Sequence, residues 1–315
     1  MQPRGQVDVR KFKKVFILYN RYSGKQLFAS MITRINEVYK LLKRELAAEV
    51  ELLDVKFFEQ MPALAERIVK EQCDWVIIAG GDGTIRAFVE DMLRLDYRPY
   101  VSVFPAGTVN LIAKEMSLRN EPGRWVHRAL KGFVYPFYMG RANGHLFLTV
   151  ASVGFDSLVV DNVGAVQKRL LNKFAYVLQS TQLIRRELVF SDWRYVFRVR
   201  FDDEEEWYTG SSVIVGKSRY YAGRYNLFPE AALSLPYLHV AVFPGNKRAD
   251  ILKYASLIAL EGLNLDQEIL CRKAKKVTIE SVNLIKEFPV ELDGDVVAAT
   301  PLILEIMNEP LWFIP

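Results

Sequence analysis

The sequence predicts an N-terminal α/β domain with a mostly parallel sheet, followed by a mainly antiparallel β domain. Three observations carry this. Over the first part of the chain, short apolar runs alternate with stretches of helical apolar spacing, the pattern of a doubly wound sheet. Beyond residue 132, strand-like runs follow one another through hairpin-like connections with two helical interruptions. The length of 315 residues suits about two domains at roughly 100–200 residues each.

Taken in order, residues 15–19 read as a strand, followed by the polar loop Asn20-Arg21-Tyr22-Ser23-Gly24-Lys25. Leu27, Met31, Ile35, Val38, Leu42 and Leu46 then recur every three or four positions, one face of a helix. Residues 50–58 read as a strand and 62–70 as a helix with Pro62 in its first turn. Residues 75–79 form a strand that runs into Gly80-Gly81-Asp82-Gly83-Thr84, and Ile85, Phe88, Val89, Met92 and Leu93 mark the helix behind it. A strand at 100–104 ends in Pro105-Ala106-Gly107-Thr108. In the second half, strands are expected at 134–139, 145–153, 195–201, 206–216, 238–243, 277–281, 288–292 and 302–307, with helices at 163–185 and about 248–263. The acidic run 202–206 reads as an exposed turn.

Composition narrows the classes. Half the residues are hydrophobic and a quarter charged, which excludes disordered, collagen-like and low-complexity chains. The 42 basic against 37 acidic residues give +5, a mild surplus that suits an anionic partner without requiring one. Cys73 and Cys271 cannot build a disulfide framework, and His127, His145 and His239 stand singly, so a Cys/His zinc site is not indicated. The polar, basic start lacks the apolar core of a signal peptide, and no apolar run reaches the length of a membrane span. The expected compartment is the cytoplasm. Basic clusters stand at Lys168-Arg169 with Lys173, at Arg185-Arg186 and at Arg272-Lys273 with Lys275-Lys276, and no nucleic-acid-binding motif accompanies them.

The chemistry concentrates at strand ends. In open α/β sheets, ligands bind at the carboxyl edge of the strands. Glycines there let backbone N–H groups approach a phosphate, and a helix N-terminus adds favourable partial charge. Gly80–Thr84 fits this, with a tight βα turn capped by Asp82 or Thr84 as the plainer reading. The loops 20–25 and 105–110 leave strands of the same sheet, so three polar, glycine-bearing loops would line one crevice. Neither a P-loop nor a dinucleotide fingerprint occurs.

These motifs resemble, in order, those of the diacylglycerol kinase catalytic superfamily, which also includes sphingosine and ceramide kinases. Residues 20–25 are similar to its NPxSGK-like loop, with Arg21 at the usual proline, and Gly80–Thr84 is its GGDGT signature. Residues 105–114 resemble its P-x-GT-x-N-x-x-A-[RK] segment, and Ser152-Val153-Gly154-Phe155-Asp156 its S-x-GFD strand end. Lys168-Arg169 with Lys173-Phe174-Ala175-Tyr176, and Tyr221-Ala222-Gly223 with Phe228-Pro229-Glu230-Ala231, resemble two further segments. Asp293-Gly294-Asp295 stands where the family has DGE.

The resemblance implies an ATP-binding domain over residues 10–131, of the three-layer kind found in NAD kinases and phosphofructokinases. It implies a β-rich lipid domain over 132–307, and a final segment 308–315 that packs back on the first domain. The active site would lie in the cleft between the domains. ATP and Mg²⁺ are the implied cofactors. The nucleotide contacts would be Asn20, Ser23, Gly24, Lys25, Gly80, Gly81, Asp82, Gly83, Thr84, Gly107, Thr108, Asn110 and Asp295, with Asp82 also holding the metal, directly or through water. Asp293 is the implied general base; read alone, Asp293-Gly294 favours a plain type I′ hairpin turn, and the other motifs reverse that. Phe155, Asp156, Lys168 and Tyr221 fall on the substrate side.

The partner would be a lipid substrate at the membrane surface, met by transient association with the inner face, and a homodimer is left open. Asp295 is one methylene shorter than the family Glu. Leu111 stands where many members carry Asp. Residues 233–237 lack the acid that helps many members bind a structural Mg²⁺. A soluble-metabolite kinase of the NAD kinase type, or a non-catalytic nucleotide- or lipid-binding regulator, are the competing readings.

Overall fold

The protein is described from a computed structural model over residues 3–19, 28–55, 58–107, 109–154, 196–223, 225–245, 248–282 and 287–315. Its contacts divide it into two units. One comprises Met1–Tyr138, Ala232–Leu235 and Asn308–Pro315, the other Met139–Ala231 and Pro236–Met307.

The first unit is built on a seven-stranded sheet. Its strands are β1 (Gly5–Gln6), β2 (Lys14–Tyr19), β3 (Glu49–Asp54), β4 (Trp75–Gly80), β5 (Tyr100–Pro105), β6 (Phe133–Phe137) and β21 (Leu311–Phe313), in the order β1-β6-β21-β5-β4-β2-β3. Strands β2 to β5 are mutually parallel, while β6 runs antiparallel to both β21 and β1. Every residue of β4 is buried, as expected of a central parallel strand covered on both faces. Helices α1 (Phe28–Glu45), α2 (Met61–Lys70) and α3 (Asp82–Arg94) follow β2, β3 and β4. The helical spacing locates their buried stripes: Ile35, Val38 and Leu42 for α1, with Leu46 just past its end, and Ile85, Phe88, Val89 and Met92 for α3.

Two short helices, α4 (Leu111–Glu115) and α5 (Pro122–Ala129), are additions to the expected elements. Strand β3 stops at Asp54 rather than running to residue 58, because its partner β2 ends at Tyr19, opposite Asp54. Phe58–Gln60 is instead a 3-10 turn that feeds α2.

The second unit holds two six-stranded antiparallel sheets. The first, β11-β10-β17-β20-β7-β8, uses β7 (Gly140–Ala142), β8 (His145–Phe147), β10 (Phe197–Phe201), β11 (Tyr208–Gly210), β17 (Lys276–Ser281) and β20 (Leu302–Ile306). The second, β16-β15-β12-β9-β18-β19, uses β9 (Val150–Val153), β12 (Ser212–Gly216), β15 (Leu238–Phe243), β16 (Leu270–Ala274), β18 (Pro289–Leu292) and β19 (Asp295–Ala299). A small hairpin, β13 (Tyr220–Tyr221) with β14 (Tyr225–Asn226), stands apart. Helix α6 (Arg248–Ala259) covers the second sheet, with Tyr254 in a buried cluster with Ile214, Ala241 and Phe243.

Two expected strands are each divided. Residues 145–153 split into β8 and β9, and 206–216 into β11 and β12, so that each segment passes from one sheet to the other. At the first break, the amides of Leu148 and Thr149 leave the ladder and donate to the Asp293 carboxylate. At the second, Gly210 lies so close to β15 that a Cβ would sit 2.6 Å from Val242 Cγ1 and 2.9 Å from the Phe243 carbonyl oxygen. Strands β16 and β19 were not expected, and the helix expected at 163–185 lies outside the described residues. Among the described residues no helix is long and apolar enough to cross a membrane.

Candidate active site

In the first unit, β4 and β5 end side by side, with Gly80 in register with Pro105. The chain then turns at Gly81, whose carbonyl accepts the amides of Thr84 (3.0 Å) and Ile85 (3.2 Å) to start α3. Gly80 lies against Thr84, where a Cβ would come within 2.8 Å of the Thr84 Cβ. A Cβ on Gly107 would lie 2.5 Å from Gly81 Cα and 2.6 Å from Asn110 Oδ1. The second and third glycine loops therefore meet backbone to backbone, a fit that no side-chain-bearing residue allows at Gly107. Gly83 differs: it is exposed and a Cβ there would meet nothing within 4 Å, which leaves open space over the first turn of α3.

Two side chains lock these loops. Asn110 sits in the left-handed region at φ 52, a conformation Asn tolerates. Its Oδ1 accepts the Gly107 amide (2.8 Å) and its Nδ2 donates to the Gly107 carbonyl (2.7 Å), closing the loop on itself. Asp82 stands in the first turn of α3, yet its carboxylate accepts the amides of Leu111 (2.9 Å) and Ile112 (3.1 Å) at the start of α4. It ties the GGDGT turn to the third loop. Leu111 takes part through its backbone alone, so that bond does not depend on its side chain.

In the second unit, Asp293-Gly294 is the two-residue turn between β18 and β19, with φ of 51 and 95 as a type I′ turn requires. The Asp293 carboxylate is closely held. Oδ1 accepts the Thr149 amide (2.8 Å), the Thr149 hydroxyl (2.7 Å) and the Val150 amide (3.2 Å), and Oδ2 accepts the Leu148 amide (2.7 Å). Buried Glu291 supports the turn by accepting the Gly294 amide and, at 2.9 Å, the Ser152 hydroxyl. Asp295 is exposed. Thr149 and Glu291 were not expected as site residues; no motif or spacing pointed to them, because their partners come from other strands.

Thus Gly80, Gly81, Asp82, Gly83, Thr84, Gly107 and Asn110 gather in the first unit, and Asp293 and Asp295 share one turn in the second. Asn20, Ser23, Gly24, Lys25, Thr108, Phe155, Asp156 and Lys168 lie outside the described residues. Tyr221, half-buried, packs against the cluster under α6. The basic run 272–276 is largely matched by acids: Arg272 pairs with Glu204, Lys273 with Glu230 and Lys276 with Glu305. Burial pushes the Cys73 thiol up to about 12, so it stays protonated.

No three His, Cys, Asp or Glu side chains cluster as a metal cage among the described residues. Mg²⁺ that arrives on substrate phosphates needs only one or two carboxylates and keeps several waters. Asp82 is the carboxylate to which the resemblance gives that role, and its two oxygens accept the Leu111 and Ile112 amides. Where many family members have an acidic element, this chain places buried Leu233, whose carbonyl accepts the Tyr138 amide (2.9 Å).

Residues 14–142 match the model of the diacylglycerol kinase catalytic domain, and residues 149–314 that of the YegS C-terminal NAD kinase beta sandwich-like domain. The chain is 25% identical over 287 residues to a diacylglycerol kinase of Staphylococcus carnosus, covering 90% of this chain and 89% of that one. It is 24% identical over 289 residues to a diacylglycerol kinase of Bacillus subtilis, covering 90% of each. The crystal structure of a diacylglycerol kinase from Bacillus anthracis shares the fold at a TM-score of 0.75 and 22% identity, covering 96% of this chain and 97% of that one. With both of its halves matched in order, the chain belongs to the diacylglycerol kinase catalytic domain family.

Proposed function

We propose that this protein is an ATP-dependent lipid kinase that transfers the γ-phosphate to the hydroxyl of a diacylglycerol-like or sphingoid lipid. The observation that carries the reading is the backbone-to-backbone meeting of the Gly81 and Gly107 turns at adjacent parallel strand ends. Such a surface suits phosphates, which need N–H donors and close approach rather than side chains.

In this reading Gly80–Thr84, Gly107 and Asn110 bind and orient the phosphates, with Asn20, Ser23, Gly24, Lys25, Thr108 and Asp295 completing the nucleotide contacts. Asp82 holds the GGDGT turn against the third loop and would hold Mg²⁺, directly or through water. The metal, when bound, neutralises charge on the phosphates. Asp293 takes the proton of the lipid hydroxyl. As that proton moves to the carboxylate, an oxygen–phosphorus bond forms to the γ-phosphorus. The bond from that phosphorus to the bridging oxygen breaks, and ADP departs with the electron pair. The products are ADP, the lipid phosphate and one proton, released later from Asp293 to solvent.

The lipid acceptor requires the protein to visit a bilayer surface from the cytoplasm. The test is phosphorylation of a lipid extract with labelled ATP and Mg²⁺, with NAD in a parallel reaction and products identified by mass spectrometry. A labelled lipid phosphate is expected. Labelled NADP, or ATP binding with no transfer to either acceptor, would overturn the reading. Asp293→Asn is expected to lose turnover by at least about 100-fold while Mg·ATP still binds. Near-normal turnover would remove Asp293 from the proton transfer.

A further inference from the structure

The two oxygens of Asp293 are held unequally. Oδ1 faces three donors, the amides of Thr149 and Val150 and the Thr149 hydroxyl, at 2.7–3.2 Å. An ionised carboxylate offers about two lone-pair directions on each oxygen. Oδ1 is therefore fully engaged. Among the described residues Oδ2 has one donor, the Leu148 amide at 2.7 Å, and so keeps an acceptor position. Asp293 is only half-buried.

We infer that Thr149 is a positioning residue for phosphoryl transfer: it pins Oδ1 so that Oδ2 is the oxygen that receives the proton of the acceptor hydroxyl. This rests on the proposed role of Asp293 as base. Of the four donors on the carboxylate, three are backbone amides that any residue would supply. The Thr149 hydroxyl is the one that side-chain chemistry adds. Thr149 is 1% exposed, so water cannot readily replace a lost hydroxyl. The same residue anchors its own backbone, since its carbonyl accepts the amides of Lys217 (2.7 Å) and Ser218 (3.2 Å). A carboxylate fixed at one oxygen cannot swing, and a general base must lie within hydrogen-bond reach of the proton it removes.

The pairing also accounts for the break between β8 and β9. A continuous strand would direct the Leu148 and Thr149 amides to a ladder partner, whereas here they hold Asp293. The sheet crossing and the placement of the carboxylate are one feature.

The test uses the full-length chain, γ-labelled ATP, Mg²⁺ and 1,2-dioleoylglycerol in mixed micelles. Thr149→Val keeps the shape and removes the hydroxyl. It is expected to lower kcat by about 10- to 100-fold, with KM for ATP within about twofold of the wild-type value, since all the proposed nucleotide contacts but Asp295 lie in the other unit. Thr149→Ser, which restores the hydroxyl, should recover most of kcat. Thermal melting checks that each variant folds; if Thr149→Val fails to fold, Thr149→Ala against Thr149→Ser gives the same comparison. A kcat within twofold of wild type in the hydroxyl-free variant, or a serine variant as slow as it, overturns the inference. A loss seen only as raised KM for ATP does so too. Asp293→Asn separates the two levels. If it turns over normally, Asp293 is not the base and the role of Thr149 falls with it, while the lipid-kinase reading stands; if the wild-type chain phosphorylates neither dioleoylglycerol nor any lipid of the extract, the proposed function fails. If Asp293→Asn is inactive while Thr149→Val is normal, only the role of Thr149 fails.

Discussion

Replacing Asp82 by alanine should do two separable things. The carboxylate accepts the amides of Leu111 and Ile112 at 2.9 and 3.1 Å, joining two loops 29 and 30 residues apart in sequence. A hydrogen bond to a charged group contributes about 1.5–3 kcal/mol. Asp82 is half-buried and water can reach part of the site, so the two bonds together are worth about 2–4 kcal/mol rather than their full sum. Ile112 is fully buried, so its amide is the one that water replaces least well.

The assay is native-state hydrogen exchange, because a chain of two units has no single unfolding free energy. A loss of 2–4 kcal/mol in local opening corresponds to about 30- to 1,000-fold faster exchange at Ile112. The amides of the second unit should be unchanged. Mg·ATP binding is expected to weaken as well, since the third loop loses its tether. Unchanged exchange at Leu111 and Ile112 would refute the tethering role. Faster exchange with normal Mg·ATP kinetics would leave Asp82 a purely structural residue.

Two other predictions concern stability and fit. Burial first, then the charges of Lys273 and Lys217, lowers the His239 pKa from 6.5 to about 4, against an opposing effect of Glu230. Its Nε2 is buried with no hydrogen-bond partner among the described residues. The folded form therefore keeps His239 neutral while the unfolded chain protonates below 6.5. Stability is complete above that pH and falls toward pH 4, by about 3 kcal/mol for this group. Denaturant titrations of His239→Phe between pH 7 and 4 should show a shallower decline than wild type, and parallel curves would refute the assignment. Gly107→Ala places a methyl 2.5 Å from Gly81 Cα, a backbone atom that cannot rotate away. It should cost about 1–3 kcal/mol and weaken ATP binding, and unaltered melting and affinity would show that the loops can part without consequence.

Much of the first unit was legible because helical spacing and buried strand runs are local signals. Ile35, Val38, Leu42 and Leu46 are buried where the three-four spacing put them, and β4 is apolar throughout because both its faces are covered. The second unit was less so. Residues 145–153 and 206–216 read as single strands because strand-forming residues run on through a change of sheet, and only the partner strands reveal the crossing. The Asp-Gly dipeptide announced a hairpin turn, and the turn is there, but nothing beside it announced Thr149.

The sequence by itself determined the fold class, the order of the motifs and the glycine turns, since each depends on residues within one helical turn or one strand of one another. The tertiary structure decided what the acids hold. Asp82 reads as a cap for its own helix and instead caps α4, and Asp293 finds its hydroxyl donor 144 residues earlier in the chain. A carboxylate is satisfied by whichever N–H or O–H groups the register of the sheets brings within about 3 Å. That register is fixed by strand pairing across the whole unit, so no local pattern carries it.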